Sequence, residues 1–359
     1  MENTYKSGLI DEIPYSKDHE TLAAKTKRKL SDVYKESQRS DIESVKKGTR
    51  TGAVRESGMA QKGIILEKAF LFIKQYWLPT LLLLPAVVLL WMFFIYPTFN
   101  MFFSSFQKIN LFKKTSEFIG FENYIQIFKD NIFLKSLRNT IIYVISVTVI
   151  LVPLSFLVSL LVDCCSRMGS FVRGVLYLPS IIAMSIAALM WKLILDADIG
   201  IISRVVTGLG ITMPNLLGDA RYTLMTVIGL GIWRSLGSNT ILFIASLKSM
   251  PREQLEAAEV DGATPLQSIL HVILPNIRYV TAFVAITTII GCFQVFTTIQ
   301  VFTQGGPNNA TNMLVYQIWQ EGFRFFNMGK ASAISSLMFI VLLGLAVIMI
   351  RVLNKQEES

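Results

Sequence analysis

Within otherwise apolar stretches, this 359-residue chain sets a few groups that can hydrogen-bond or carry charge. One stretch holds Arg234, Ser235, Ser238, Asn239 and Thr240; another holds Thr287, Thr288, Cys292, Gln294, Thr297 and Thr298, with Val295 beside them. Hydroxyls, amides and one guanidinium can bind and release a polar molecule, and in a lipid-crossing segment such groups are costly enough to face a bundle interior or a wet cavity. Arg234 could pair with an acidic ligand or with an acid or carbonyl inside the bundle. Covalent chemistry has weaker candidates. His19 and His271 lie far apart in unlike contexts, and Cys164, Cys165 and Cys292 have neither the framework of disulfides nor metal-ligand spacing. Gly329-Lys330 runs into Ala331 and lacks the upstream glycine of a phosphate-binding loop. No catalytic residue, resident metal or bound cofactor is expected on this chain.

The elements that must position these groups follow from composition. Hydrophobic residues make up 52% of the chain and charged residues 16%, where a soluble domain carries about 25% charged. Of the 59 charged residues, 25 fall in the first 68 positions, so the remainder is poor enough in charge to sit in lipid. A helix needs about 20 mostly apolar residues to cross a bilayer. Six runs qualify: 75–107, 139–162, 174–191, 222–247 broken only by Arg234, 279–320 with room for an outer loop, and 331–350. They read as helices, because lipid forces every backbone polar group to be satisfied within its own segment and the alternation of barrel strands is missing. The fold class is therefore all-α: a polytopic membrane protein with six transmembrane helices and a polar N-terminal tail.

Residues 1–62 carry too few large apolar groups to offset the entropy of ordering and read as a disordered tail. Residues 63–77 place Ile65, Ala69, Phe72, Ile73 and Tyr76 at near-helical spacing, as an interfacial amphipathic segment leading into the 78–350 transmembrane region. Residues 351–359 form a short polar C-terminus. The first apolar run is too long for the core of a cleavable signal, so it is expected to stay in the mature chain. Net charge is +9, but the basic residues are dispersed among acids, which discounts nucleic acid. Lys and Arg near the spans number ten on either side, so charge bias leaves the orientation open.

Outside the spans, Phe121, Tyr124, Ile125 and Phe128 recur at helical spacing and predict a short surface helix. Gln304-Gly-Gly-Pro-Asn-Asn309 is dense in turn residues. The segment 249–275 is the most informative. Ser249 is placed to cap a helix with Pro251 in its first turn and Glu253 near its positive end. Gly262 can take the positive φ that ends it. Thr264, Pro265 and Gln267 then read as N-cap, first helical residue and capping-box partner of a second helix. Leu266, Ile269, Leu270 and Ile273 are expected on one face of it, and Pro275 marks the break before the fifth span.

This segment carries a resemblance. Glu256-Ala-Ala258, three residues, Gly262, nine residues, then Val272-Ile-Leu-Pro275 resembles the EAA loop of ABC-transporter permease subunits, with Val272 where that pattern has Ile. Phe121-Glu-Asn-Tyr124, Trp233, Asp261-Gly-Ala263, Gly305-Gly-Pro307, Pro79 and Pro97 extend it over 78–350 to the carbohydrate-uptake, binding-protein-dependent permeases of the maltose and glycerol-phosphate type. The resemblance implies the type I importer permease fold. It also implies a multi-pass protein of the plasma membrane with both termini and the loop cytoplasmic. The loop would dock on a separate ATPase through Glu256, Ala257, Ala258, Asp261, Gly262, Leu274 and Pro275. Implied partners are a second permease subunit, two cytoplasmic ATPase subunits that hold the ATP and Mg, an extracytoplasmic substrate-binding protein and the lipid bilayer.

By register from the loop, Ser235, Ser238, Thr288, Cys292 and Val295 align with sugar-contacting positions of the maltose-type permease, and the last three share a face at i, i+4 and i+7. With Arg234, Asn239 and Gln294 they form the expected substrate path. The implied cargo is an oligosaccharide; glycerol phosphate, a polyol or a peptide are the alternatives within the superfamily, and a polytopic enzyme or signalling protein lies outside it. Trp233 and Phe293 could stack on a sugar ring or serve packing.

Overall fold

The structure is a computed structural model that describes residues 81–110, 113–164, 169–211 and 213–357. The expectations for the 1–62 tail, the 63–77 segment, His19 and Cys165 lie outside the described residues. Leu90–Ser359 forms one compact unit, and Leu81–Leu89 is the helical, described end of the other.

Four helices are long and apolar enough to cross a membrane: α1 (Leu81–Ser105), α3 (Asn131–Cys164), α7 (Ala220–Ser249) and α12 (Met328–Glu357). Two bent pairs complete six if each pair is one span. The first pair is α4 (Gly169–Ile181) with α5 (Met184–Ile194), bent by 96°. The second is α9 (Pro265–Asn276) with α10 (Arg278–Phe293), bent by 71°. The third run was expected to cross as a single helix, and the structure corrects that. Pro179 removes a backbone donor near the end of α4, and Ala183 leaves the helical region at φ −56°, ψ 131° before α5 restarts.

Short elements join the spans. Strands β1 (Gln107–Asn110) and β2 (Thr115–Phe118) form an antiparallel hairpin, a small addition to the helical fold. Helix α2 (Glu122–Lys129) follows where the Phe121–Phe128 pattern predicted one. Its buried residues, however, are Asn123 and Ile127, while Phe121, Ile125 and Phe128 are exposed. The expected apolar stripe is thus split: Tyr124 packs inward with its hydroxyl 2.8 Å from Ser105 Oγ and Ser336 Oγ, and Asn123 turns in beside it to donate to the backbone oxygens of Ser105 and Gln107 at 2.8 and 3.0 Å. Helix α6 (Ile201–Gly208) lies in the second long loop, α8 (Arg252–Val260) precedes α9, and α11 (Leu314–Trp319) precedes α12.

Helix α3 is the central element. Asp130 starts it, its carboxylate accepting the Ile132 backbone N–H at 2.8 Å. Tyr143, Val147 and Leu151 on α3 pack with Val227 and Leu230 of α7 and Cys292 of α10 in the principal core. A second cluster ties α2 to α12 through Ile127, Phe133, Leu314 and Ile334. A third joins Phe156 and Phe243 to Ile273, Ile277 and Val284, where the α9–α10 bend meets the long helices. Helices α4 and α7 approach so closely that a Cβ placed on Gly237 would overlap the Leu176 carbonyl oxygen at 1.8 Å. Only a residue without a side chain fits there.

The turn-rich Gln304–Asn309 segment is held against α3. Lys135 donates to the Asn308 carbonyl, and Asn139 donates to those of Asn309 and Asn312.

Candidate functional site

A cavity of about 380 Å³ opens where α3, α7 and α10 converge. All eight residues expected along the substrate path line it: Arg234, Ser235, Ser238 and Asn239 from α7, and Thr288, Cys292, Gln294 and Val295 from α10 and the turn after it. Asn239 Nδ2 donates to Thr288 Oγ1 at 3.1 Å, joining the two helices across the cavity wall. Ser238 Oγ donates within α7 to the Ser235 carbonyl at 2.9 Å, and Ser180 Oγ donates to the Arg234 carbonyl at 2.8 Å, which ties α4 to α7 at the guanidinium-bearing residue.

The geometry departs from the expected helical face at one point. Helix α10 ends at Phe293 with Gln294 as its C-cap, so Val295 reaches the cavity from a turn and not at i+7 of a continuing helix. Sequence reasoning passed over Tyr143 and Val147 of α3, Met184 at the start of α5, Gly231 of α7, Gly291 of α10 and Phe296, and the polar Thr287, Thr297 and Thr298 complete the lining. A tyrosine inside the apolar 139–162 run was the available signal for the first. Trp233 meets Trp191 edge to face at 5.3 Å, and Phe293 packs on the principal core, so both serve packing.

A hollow of about 490 Å³ beside Trp191, Leu195, Met225 and Trp233 is larger. Its walls are mainly apolar and supply no convergent set of donors and acceptors, so the smaller cavity is the better candidate for a polar ligand.

The second candidate site is the loop between α7 and α10. Ser249 does not cap α8: it ends α7, and its hydroxyl donates back to the Ser246 carbonyl at 2.8 Å. Pro251 occupies the cap position, with Glu253 in the first turn of α8. Gly262 takes φ +75°, and the Gly262 and Ala263 N–H groups close the helix end on the Glu259 and Ala258 carbonyls at 3.0 and 2.9 Å. Thr264 and Gln267 form the capping box, with Pro265 in the first turn.

The face foreseen on α9 is divided. Ile269 and Ile273 pack inward, whereas Leu266 and Leu270 are exposed. Within α9 the residues Ile269–Ile273 form a wide helical turn. Leu274 and Pro275 stand at the end of α9, before the bend. Glu256, Ala257 and Asp261 present an exposed surface on and just after α8. Asn276 Nδ2 donates to Gln254 Oε1 at 2.7 Å and ties α8 to the end of α9, just before the bend into α10. His271 is exposed, with Nδ1 3.1 Å from the Gln267 carbonyl, and the described residues hold no metal-ligand cluster.

Four long apolar helices and two bent pairs that bring the spans to as many as six, a polar cavity lined by α3, α7 and α10, and a structured helical loop continuous with one wall of that cavity are the architecture of a membrane transport subunit. The chain belongs to the family described as the binding-protein-dependent transport system inner membrane component, whose match covers residues 131–357. It is therefore a multi-pass inner-membrane protein and the translocation subunit of a binding-protein-dependent importer.

The chain is 31% identical over 281 residues to the sn-glycerol-3-phosphate transport system permease protein UgpA of Yersinia pseudotuberculosis serotype I (strain IP32953), covering 78% of this chain and 95% of that protein. It is 31% identical over 286 residues to the probable ABC transporter permease protein YurN of Bacillus subtilis (strain 168), covering 79% and 98%. Among solved structures, a chain of a bacterial ABC transporter involved in the import of the acidic polysaccharide alginate superposes with a TM-score of 0.69 at 21% identity, over 81% of this chain and 99% of that one. That likeness speaks to the fold.

Proposed function

We propose that this chain forms half of the path for a carbohydrate, joined to a second permease subunit and fed by an extracytoplasmic substrate-binding protein. Two cytoplasmic ATPase subunits bind ATP and Mg and close on α8, so that the loop, the N-terminus and the C-terminus all lie on the cytoplasmic side. Glu256, Ala257, Ala258, Asp261 and Gly262 form the docking surface. Leu274 and Pro275 pass its movement toward α10, and this chain itself holds no nucleotide.

One observation carries the reading. The chain runs without a long loop from α8 through α9 into α10, and α10 supplies Thr288 and Cys292 to the cavity. Displacement of α8 by an ATPase would rotate α9, and the packing of Ile273 and Ile277 against Phe156 and Phe243 would transmit that rotation to a cavity wall. The Gln254–Asn276 bond adds a second connection.

The cavity suits a carbohydrate because Ser235, Ser238, Asn239 and Thr288 offer several donors and acceptors on two facing helices. A glycerol phosphate is the second reading, favoured by the 31% identity to a permease named for that cargo. The test is uptake of labelled carbohydrates by cells carrying the complete importer. Thr288→Ala breaks the bond to Asn239 and removes a cavity hydroxyl, and is expected to reduce uptake severalfold at unchanged membrane level. Carbohydrate uptake that is absent from the unaltered importer, or indifferent to this substitution, would refute the assigned path.

A further inference from the structure

Arg234 is the one charged side chain among the residues that line the cavity. Its Nε is buried without a hydrogen-bond partner, and no carboxylate among the described residues lies within ion-pair distance of its guanidinium. Lys330, also within a span, shows how this fold treats a cation of purely internal use: Asp130 sits 2.5 Å and Glu321 3.4 Å from its ammonium. Arg173 shares the orphaned Nε but lines neither cavity.

Burying a guanidinium N–H without an acceptor is costly, and an anion that reached the half-buried Arg234 from the cavity would supply that acceptor. The neighbouring Ser235, Ser238, Asn239 and Thr288 offer hydroxyl and amide groups but no compensating charge. A guanidinium fits a planar or tetrahedral oxyanion with two parallel N–H···O bonds. Its position on a cavity wall places that anion where cargo passes.

From this we infer that Arg234 binds an anionic group, a carboxylate or phosphate, on the carbohydrate or polyol that this subunit carries. The inference rests on the carbohydrate-path reading above and narrows its cargo to acidic members. Arg234 supplies the charge, and the adjacent hydroxyl and amide groups hold the uncharged hydroxyls of the same molecule. A neutral sugar of equal size would leave the guanidinium unpaired and would bind less well, because a site built for a charged partner rejects the analogue lacking it.

The experiment measures import by cells carrying the complete importer, supplied with labelled uronic-acid di- and trisaccharides, their carboxyl-reduced neutral counterparts, and glycerol 3-phosphate. The expected result is import of an acidic probe at least tenfold above its neutral counterpart. Arg234→Gln should then lower acidic import at least tenfold, with assembly of the permease and ATPase subunits unchanged, and Arg234→Lys should restore part of it. Uronate import would assign a carboxylate, and glycerol 3-phosphate import a phosphate.

Equal import of acidic and neutral sugars, or equal loss of both on Arg234→Gln, overturns the inference while the carbohydrate path stands. Loss of assembly in both Arg234→Gln and Arg234→Lys overturns it in favour of a structural charge paired across the subunit interface. Import of none of the probes overturns the carbohydrate reading and this inference with it.

Discussion

Single side chains in this protein divide into those that complete a fold contact and those left open to a ligand. Lys330 belongs to the first group. It bridges Asp130, at the start of α3, and Glu321, in the turn before α12, while Glu321 also accepts from Gln317 and Asn327 at 3.3 and 3.0 Å. Burial acts to raise the Asp130 carboxyl. The Lys330 hydrogen bond, the Ile132 backbone N–H and the ammonium charge outweigh it, so Asp130 titrates below its ordinary 3.8. A depressed carboxylate contributes stability that is complete above the unfolded value and fades as pH falls through the folded one. The contribution should therefore persist across neutral pH and disappear only below pH 3.8. Asp130→Asn should cost about 1–2 kcal/mol at neutral pH. In detergent-solubilised protein it should lower the unfolding temperature at pH 7 and flatten the acid limb; an unchanged pH 7 value would show that the bridge contributes nothing. Arg234 is the counterpart, a charge with no carboxylate at ion-pair distance among the described residues.

At the scale of elements, what could be anticipated depended on how local the determining chemistry is. The α8–α9 turn was legible because Gly262, Thr264, Pro265 and Gln267 fix backbone conformation within six residues. Existence and approximate length of the spans were legible because hydropathy counts residues against bilayer thickness. Direction was legible only in part: Pro275 marked the break at the 71° bend, whereas hydropathy gave no sign of the 96° bend between α4 and α5. The buried network at Lys330 was equally hidden, since its partners lie 9 and 200 residues away. Nor did the sequence disclose that α7 needs Gly237 for its approach to α4. Gly237→Ala should drive a methyl group into the Leu176 carbonyl and separate the two helices at a cost of about 1–3 kcal/mol. Because Ser180 of α4 bonds to the Arg234 carbonyl, uptake should fall together with thermal stability. A variant of unaltered stability would mean that α4 and α7 do not meet this closely.

For the molecule as a whole, the eight expected path residues come together on one cavity, five of them placed by register from the loop and Arg234, Asn239 and Gln294 as polar groups within the spans. Val295 arrives by a turn, and Tyr143 was overlooked because an aromatic residue in an apolar run is unremarkable by composition. The uneven charge of the chain acquires a spatial meaning within the described residues. The exposed acids of 252–261 stand at the loop proposed to meet the ATPase, and Arg234 stands at the cavity. Between these places run α9 and α10, and the central claim is that movement of the loop becomes movement of the cavity wall.

The direct test is ATP-dependent uptake together with ATPase recruitment in membranes containing the importer with Glu256→Lys and Gly262→Asp. The first reverses a charge on the exposed surface of α8. The second forces a side chain into a turn at φ +75°, at a local cost of about 1–2 kcal/mol. The account predicts that recruitment and uptake both collapse, at least tenfold, while the permease remains in the membrane. Normal recruitment and normal uptake in that variant would contradict it.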